Sequence, residues 1–114
     1  GIKYMANAFK NKTQRQIGTS LTALETYTVP GSTETTVIGL TIANTTASQI
    51  LVDATLNNGT NDFYIVKEAP VPVGSSLVVI GGDQKVVLMP GDSIKVKSDT
   101  ATSADAIMSI LEIT

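Results

Sequence analysis

Four aspartates are the first place to look for chemistry. Asp83, Asp92, Asp99 and Asp105 would supply the paired carboxylates that glycoside hydrolysis uses. Each, however, sits in or beside a predicted turn, where Asp is explained by hydrogen bonding to the local backbone. Ser75, Ser76 and Ser93 have no activating base, because the chain contains no His. A Ser–Lys device needs a buried lysine, and Lys95 and Lys97 read as solvent-facing. There is no Cys either, which excludes disulfides, thiol nucleophiles and cysteine-based zinc sites. The loop Asn57–Asp62 is rich in side-chain oxygen, as calcium prefers, but Asp62 is its only charged ligand and the spacing is not that of an EF-hand. Gly81-Gly82-Asp83 precedes no helix, so no helix N-terminus is there to hold a phosphate. Asn11, Asn44 and Asn58 head Asn-x-Thr triplets, which a chain this rich in Thr contains by chance. The chemistry therefore points to a non-enzyme: no catalytic residue, no metal, no cofactor.

Composition narrows the classes further. At 114 residues the chain makes one domain, large enough to fold without staples. Eight basic and ten acidic residues leave a net charge of −2, which offers no general attraction to nucleic acid. The charges are unevenly placed: Lys3, Lys10, Lys12 and Arg15 precede the first acid, Glu25. Apolar runs are of strand length, and the N-terminus lacks the apolar core of a signal peptide, so neither membrane nor secretion is expected. Gly1–Tyr4 reads as an expression remnant ahead of an initiator Met5, with an internal fragment as the alternative.

The elements that would position any site are strands. Ala69–Ser98 carries three apolar runs, Ser76–Ile80, Lys85–Met89 and Ser93–Lys97, separated by Gly, Pro and Asp turns. These read as a consecutive antiparallel meander. The turn before Ser76 (Pro72-Val73-Gly74-Ser75) echoes the one before Ser93 (Met89-Pro90-Gly91-Asp92). Upstream, Ala6–Gln16 reads as a basic arm or a loosely attached first strand, giving an arm over 1–16 and a sandwich domain over 17–114. A pair of strands is expected within Ile17–Val29. Thr35–Ala43 should place Ile38, Leu40 and Ile42 on one face. Gln49–Leu56 follows, then a type I′ hairpin at the Asn-Gly step, then Phe63–Glu68 as a central strand apolar on both faces. Gly81-Gly82-Asp83 reads as a two-residue hairpin. In the last strand, Ala104–Ile113, Ile107, Leu111 and Ile113 share one face and Met108 and Ile110 the other. No segment sustains a helical period. Eight or nine short strands predict an all-β, single-domain antiparallel β-sandwich, jelly-roll or immunoglobulin-like.

Apolar residues on both faces of a terminal strand in so small a domain point to an oligomer interface. The candidate interface residues are Phe9, Met108 and Ile110, with Lys10, Lys12 and Arg15 docking on an acidic partner. Glycan binding is the other class that the residues leave open, thinly supported by Tyr27 or Tyr4 because Phe63 and Tyr64 fall within a strand.

Several segments carry a resemblance that spans most of the chain: Met5-Ala6-Asn7-Ala8-Phe9-Lys10, Val37–Thr46, Val66–Pro72, Val79–Lys85, Pro90–Val96 and Ser103–Ser109. In these the chain resembles small all-β virion structural proteins of tailed bacteriophages, marine and cyanobacterial phages especially. The resemblance implies a capsid decoration, neck or tail accessory subunit in the virion, made in the host bacterial cytoplasm. It brings no catalytic residues. The partners expected are the chain itself, as a homo-oligomer with a trimer favoured, and other virion proteins. Host attachment through a glycan is the alternative.

Overall fold

The computed structural model describes residues 6–114; the reading of Gly1–Tyr4 and Met5 lies outside the described residues. Nine strands follow in order: β1 (Asn7–Ile17), β2 (Thr22–Ala23), β3 (Glu34–Asn44), β4 (Ile50–Asn57), β5 (Asp62–Val71), β6 (Ser76–Ile80), β7 (Val86–Leu88), β8 (Ser93–Ser98) and β9 (Ala104–Ile113). All pairings are antiparallel. The larger sheet runs β1-β9-β3, with β6 and β7 both on the far edge of β3. The smaller runs β2-β8-β4-β5. The first strand thus pairs with the last and the second with the one before the last. The protein is a single-domain antiparallel β-sandwich, as the strand pattern predicted.

Period-two alternation builds the core between the sheets. The larger sheet contributes Val37, Leu40 and Ile42 from β3, and Ala104, Ala106, Met108 and Ile110 from β9. The smaller contributes Ile50, Val52 and Ala54 from β4, and Ile94 and Val96 from β8. Leu24, Tyr27 and Val29 join the same core. In β3 the alternation changes phase at Ile38, where a bulge between Val37 and Gly39 inserts one residue against β9. Val37 therefore joins Leu40 and Ile42 inside, and Ile38 leaves the face expected for it.

The turns decide which strand belongs to which sheet. Ser75 N–H donates to the Pro72 carbonyl at 3.2 Å and Asp92 N–H to the Met89 carbonyl at 2.9 Å. Gly74 and Gly91 take φ of 71° and 90°, the positive φ that a type II turn demands at its third residue. Both turns carry the chain across the sandwich, from β5 to β6 and from β7 to β8. This overturns the meander. β6 and β7 lie in succession along β3, opposite Leu40–Ala43 and Thr35–Val37, while β8 belongs to the other sheet. The tight turn at Gly82-Asp83 closes a single Gly81–Gln84 bridge, after which the chain continues along β3 instead of forming a hairpin.

Other expectations are corrected by packing. Ile17–Val29 does not form two strands. Only Thr22–Ala23 pairs, with β8, before a 3-10 turn at Leu24–Thr26 buries Leu24. The β4–β5 hairpin has a four-residue loop, Asn58–Asn61, with positive φ at Gly59 but not at Asn58, so it is not type I′. β5 is an edge strand, not a central one, and Phe63 and Tyr64 are about half exposed (53% and 50%). The segment read as arm or first strand takes the strand form, with eight regular pairs from Asn7–Ile113 to Gln14–Ala106.

Candidate assembly interface

The outward face of the larger sheet is built by the same alternation that fills the core. Two cross-strand rows traverse it. One is Phe9, Leu111, Thr36 and Val87; the other is Thr13, Ile107, Thr41 and Val78. Phe9 is 76% exposed and Ile107 57%, and Val78 and Val87 are similarly bare. Between the rows lie Asn11, Ser109, Ile38 and the bulge glycine Gly39. A shallow depression of about 340 Å³ lies against Phe9, Lys10, Asn11, Ile38, Ser109 and Ile110. No residue named in these rows or between them is charged. Arg15 and Asp105 stand at one end of the face and Glu34 at the other.

The six predicted interface residues separate into three groups. Phe9 and Arg15 lie on this outward face. Lys10 and Lys12 alternate to the core side of β1, where their partners belong to the same chain. Lys10 Nζ is 2.6 Å from Glu112 Oε1, and Lys12 Nζ stands 5.0 Å above the Tyr27 ring. Met108 and Ile110 are corrected outright: at 1% and 0% exposure they are core, so their side chains are not offered to a neighbour. The exposed apolar residue between them and the turn is Ile107. The signal was present in the sequence, since Ala104, Ala106, Met108 and Ile110 form an unbroken apolar series, whereas Ile107 shares its face with Asp105 and Ser109.

A polar cluster fastens β1 from the core side. Tyr27 OH donates to Glu112 Oε2 at 2.6 Å and lies 2.9 Å from Thr35 Oγ1. The Lys10 ammonium and the Tyr27 hydroxyl, both donating to it, hold the Glu112 carboxyl below the usual glutamate range. Burial, and then the carboxylate of Glu112, push the Tyr27 phenol up to about 12. A phenol so placed stays protonated near neutrality, and the cluster works as a clamp. Glu25 is a second clamp, accepting from Thr13 N–H at 2.6 Å while its own N–H donates to Gln14 Oε1 at 3.2 Å.

Three of the four aspartates considered for catalysis are turn and strand fasteners. Asp92 accepts from Met89 N–H, Asp99 from Leu51 N–H and Asp105 from Gln16 N–H. Asp53 lies 3.7 Å from Lys97 and accepts from Glu68 N–H, where β5 bulges with Glu68 at φ 52°. Among the described residues no group of three or more His, Cys, Asp or Glu side chains is placed to hold a metal ion. No helix there is long and apolar enough to cross a membrane.

The two-sheet sandwich has counterparts among solved structures. The fold is similar to a chain of the acid-stable capsid of the Helicobacter pylori bacteriophage KHP30. The TM-score is 0.56 at 8% identity, over 97% of this chain and 94% of that one. It is similar also to a chain from Bacillus endospore appendages, described as disulfide-linked pili. There the TM-score is 0.55 at 11% identity, over 99% of this chain and 89% of that one. No protein-family model and no curated protein matches the sequence.

Proposed function

We propose that this protein is a non-enzymatic structural subunit of a tailed-phage virion, a jelly-roll sandwich that assembles with further copies of itself through the outward face of its larger sheet. The observation that carries this is the pair of rows from Phe9 to Val87 and from Thr13 to Val78, uncharged across four strand positions, with Phe9, Thr13, Ile107, Val78 and Val87 exposed and Leu111, Thr36 and Thr41 half-buried. At ~4.8 Å between strands and ~3.4 Å per residue the face measures roughly 20 by 30 Å, so two apposed copies bury about 1,200 Å², the lower bound of a stable interface. The strand order and the capsid and pilus neighbours support an assembly role. The cross-link of the pilus does not transfer, because this chain has no Cys.

The test is solution mass by light scattering on wild type and on Ile107→Asp with Val87→Lys. Wild type gives a discrete oligomer, whose number also reads the trimer expectation, and the doubly charged face gives a monomer with an unchanged urea midpoint. A wild-type monomer at millimolar concentration, or a variant that keeps its oligomer, refutes the reading. Glycan-mediated host attachment is the second reading, favoured now by exposed Phe63 and Tyr64. Adjacent strand residues point to opposite faces, however, and Lys67 already sits over Tyr64 at 5.0 Å, so the two rings make no common platform for a sugar.

A further inference from the structure

We propose that β1 is an exchangeable strand: in the assembled form Ala6–Arg15 leaves its own β9 and completes β9 of a neighbouring copy. This rests on the self-association proposed above and specifies one contact within it. Three observations carry it. First, from Ala6 through Gln16 no side chain is fully buried, and burial begins at Ile17. Detaching the segment therefore withdraws no core side chain, and an identical strand re-covers the edge and the core-side groups it leaves.

Second, the junction is built as a hinge. The register breaks between Gln14 and Ile17, and Gln16 sits at φ 56°, a left-handed conformation that glutamine disfavours. Immediately beyond, the chain is pinned. The Ile17 carbonyl accepts from Ser103 N–H at 2.9 Å and the Gly18 carbonyl from Ser98 N–H at 2.8 Å. Any swing is thereby confined to Gln16, and an extended hinge releases its strain.

Third, the body of the protein carries a receptor specific for this sequence. Glu112 takes Lys10, Glu25 takes Thr13 and Gln14, and Thr114 exchanges both backbone hydrogen bonds with Ala6. Each contact is between the segment and the body, so β1 of a second copy satisfies it as well as the chain's own. Exchange of an element already matched to its site is a low-cost route to oligomers. The edge of β5 offers no such route, because Pro70, the Glu68 bulge and register shifts interrupt its ladder.

The chain's lack of cysteine makes the test clean. Asn11 and Ser109 are exposed Cα partners across β1 and β9. Thr13 N–H turns away from β9 to Glu25, so by alternation Asn11 and Ser109 form a non-hydrogen-bonded pair, with side chains close enough to bridge. Asn11→Cys with Ser109→Cys is oxidised as the isolated oligomer, then run denatured without reductant. Exchange predicts covalent multiples of the chain. A bridged single chain from an intact oligomer overturns the exchange and leaves the assembly reading standing. A bridged single chain from a protein that scatters as a monomer overturns both. The hinge supplies an independent readout if the bridge does not form. Gln16→Gly relieves the closed hinge and weakens association by about fivefold, whereas Gln16→Pro, which cannot take positive φ, strengthens it. Equal dissociation constants for the two variants overturn the exchange.

Discussion

Glu112 divides its two oxygens between two elements, Oε1 to Lys10 on β1 and Oε2 to the Tyr27 hydroxyl. The two ends of this cluster titrate with opposite sign. The folded Glu112 is held below its ordinary value of 4.5, so its contribution is complete above that value and is lost as pH falls through the lower folded value. The folded Tyr27 is raised from 10.0 to about 12, so its contribution is complete below 10.0 and is lost as pH rises from there toward 12. Two variants check this. In Glu112→Gln the fall in urea midpoint below pH 4.5 flattens. In Tyr27→Phe the alkaline fall flattens and the slowest phenol disappears from the ultraviolet titration. A Glu112→Gln curve with the acid slope of wild type rules out the clamp.

At the scale of elements, β9 is the informative strand, because its two faces have opposite duties. Met108→Ala opens a cavity between the sheets and costs about 2–4 kcal/mol in urea unfolding. Ile107→Ala, one residue away, changes stability by less than about 0.5 kcal/mol and weakens self-association. Equal destabilisation by both would mean that the two faces are not distinct. The same strand shows how far the sequence could be read. Its limits, Ala104–Ile113, were legible from the apolar run and the flanking turn. Its phase is legible only from the polar residues, because Ile107, Leu111 and Ile113 form as plausible an apolar stripe as Met108 and Ile110. Asp105 and Ser109 carried the discriminating information. In β3 the phase was lost at a bulge, which no alternation rule anticipates, since the extra residue is fixed by pairing with β9. The inward phase of Ile94 and Val96 is legible because they alternate with Lys95 and Lys97 without interruption. Turn chemistry fared likewise. Both Gly-containing crossings were recognised as one solution, but which sheet each enters depends on partners far along the chain, so β6–β7–β8 looked like a meander.

For the molecule as a whole, the driving force of assembly separates two ways of using its surface. A basic β1 docking on an acidic partner would be an ionic contact, weakened by salt within a Debye length of about 8–10 Å. The structure instead satisfies Lys10 and Lys12 inside the chain and leaves Phe9, Val78, Val87 and Ile107 exposed on an uncharged face. With a net charge of only −2, copies repel one another weakly. The proposed self-association is then a burial process, entropic near room temperature and accompanied by a negative heat-capacity change. Three responses follow for the dissociation constant measured by light scattering or sedimentation. It rises on cooling, falls in sulfate, and changes little when sodium chloride is raised from about 0.05 to 0.5 M, a range over which an ionic contact would be largely screened. In the proposed interface Arg15 and Asp105 at one end of the face and Glu34 at the other would set register and orientation more than affinity. A strong loss of association in sodium chloride would shift the driving force to those terminal charges. Ile107→Asp and Arg15→Ala would then exchange ranks, with the arginine variant the more damaging of the two.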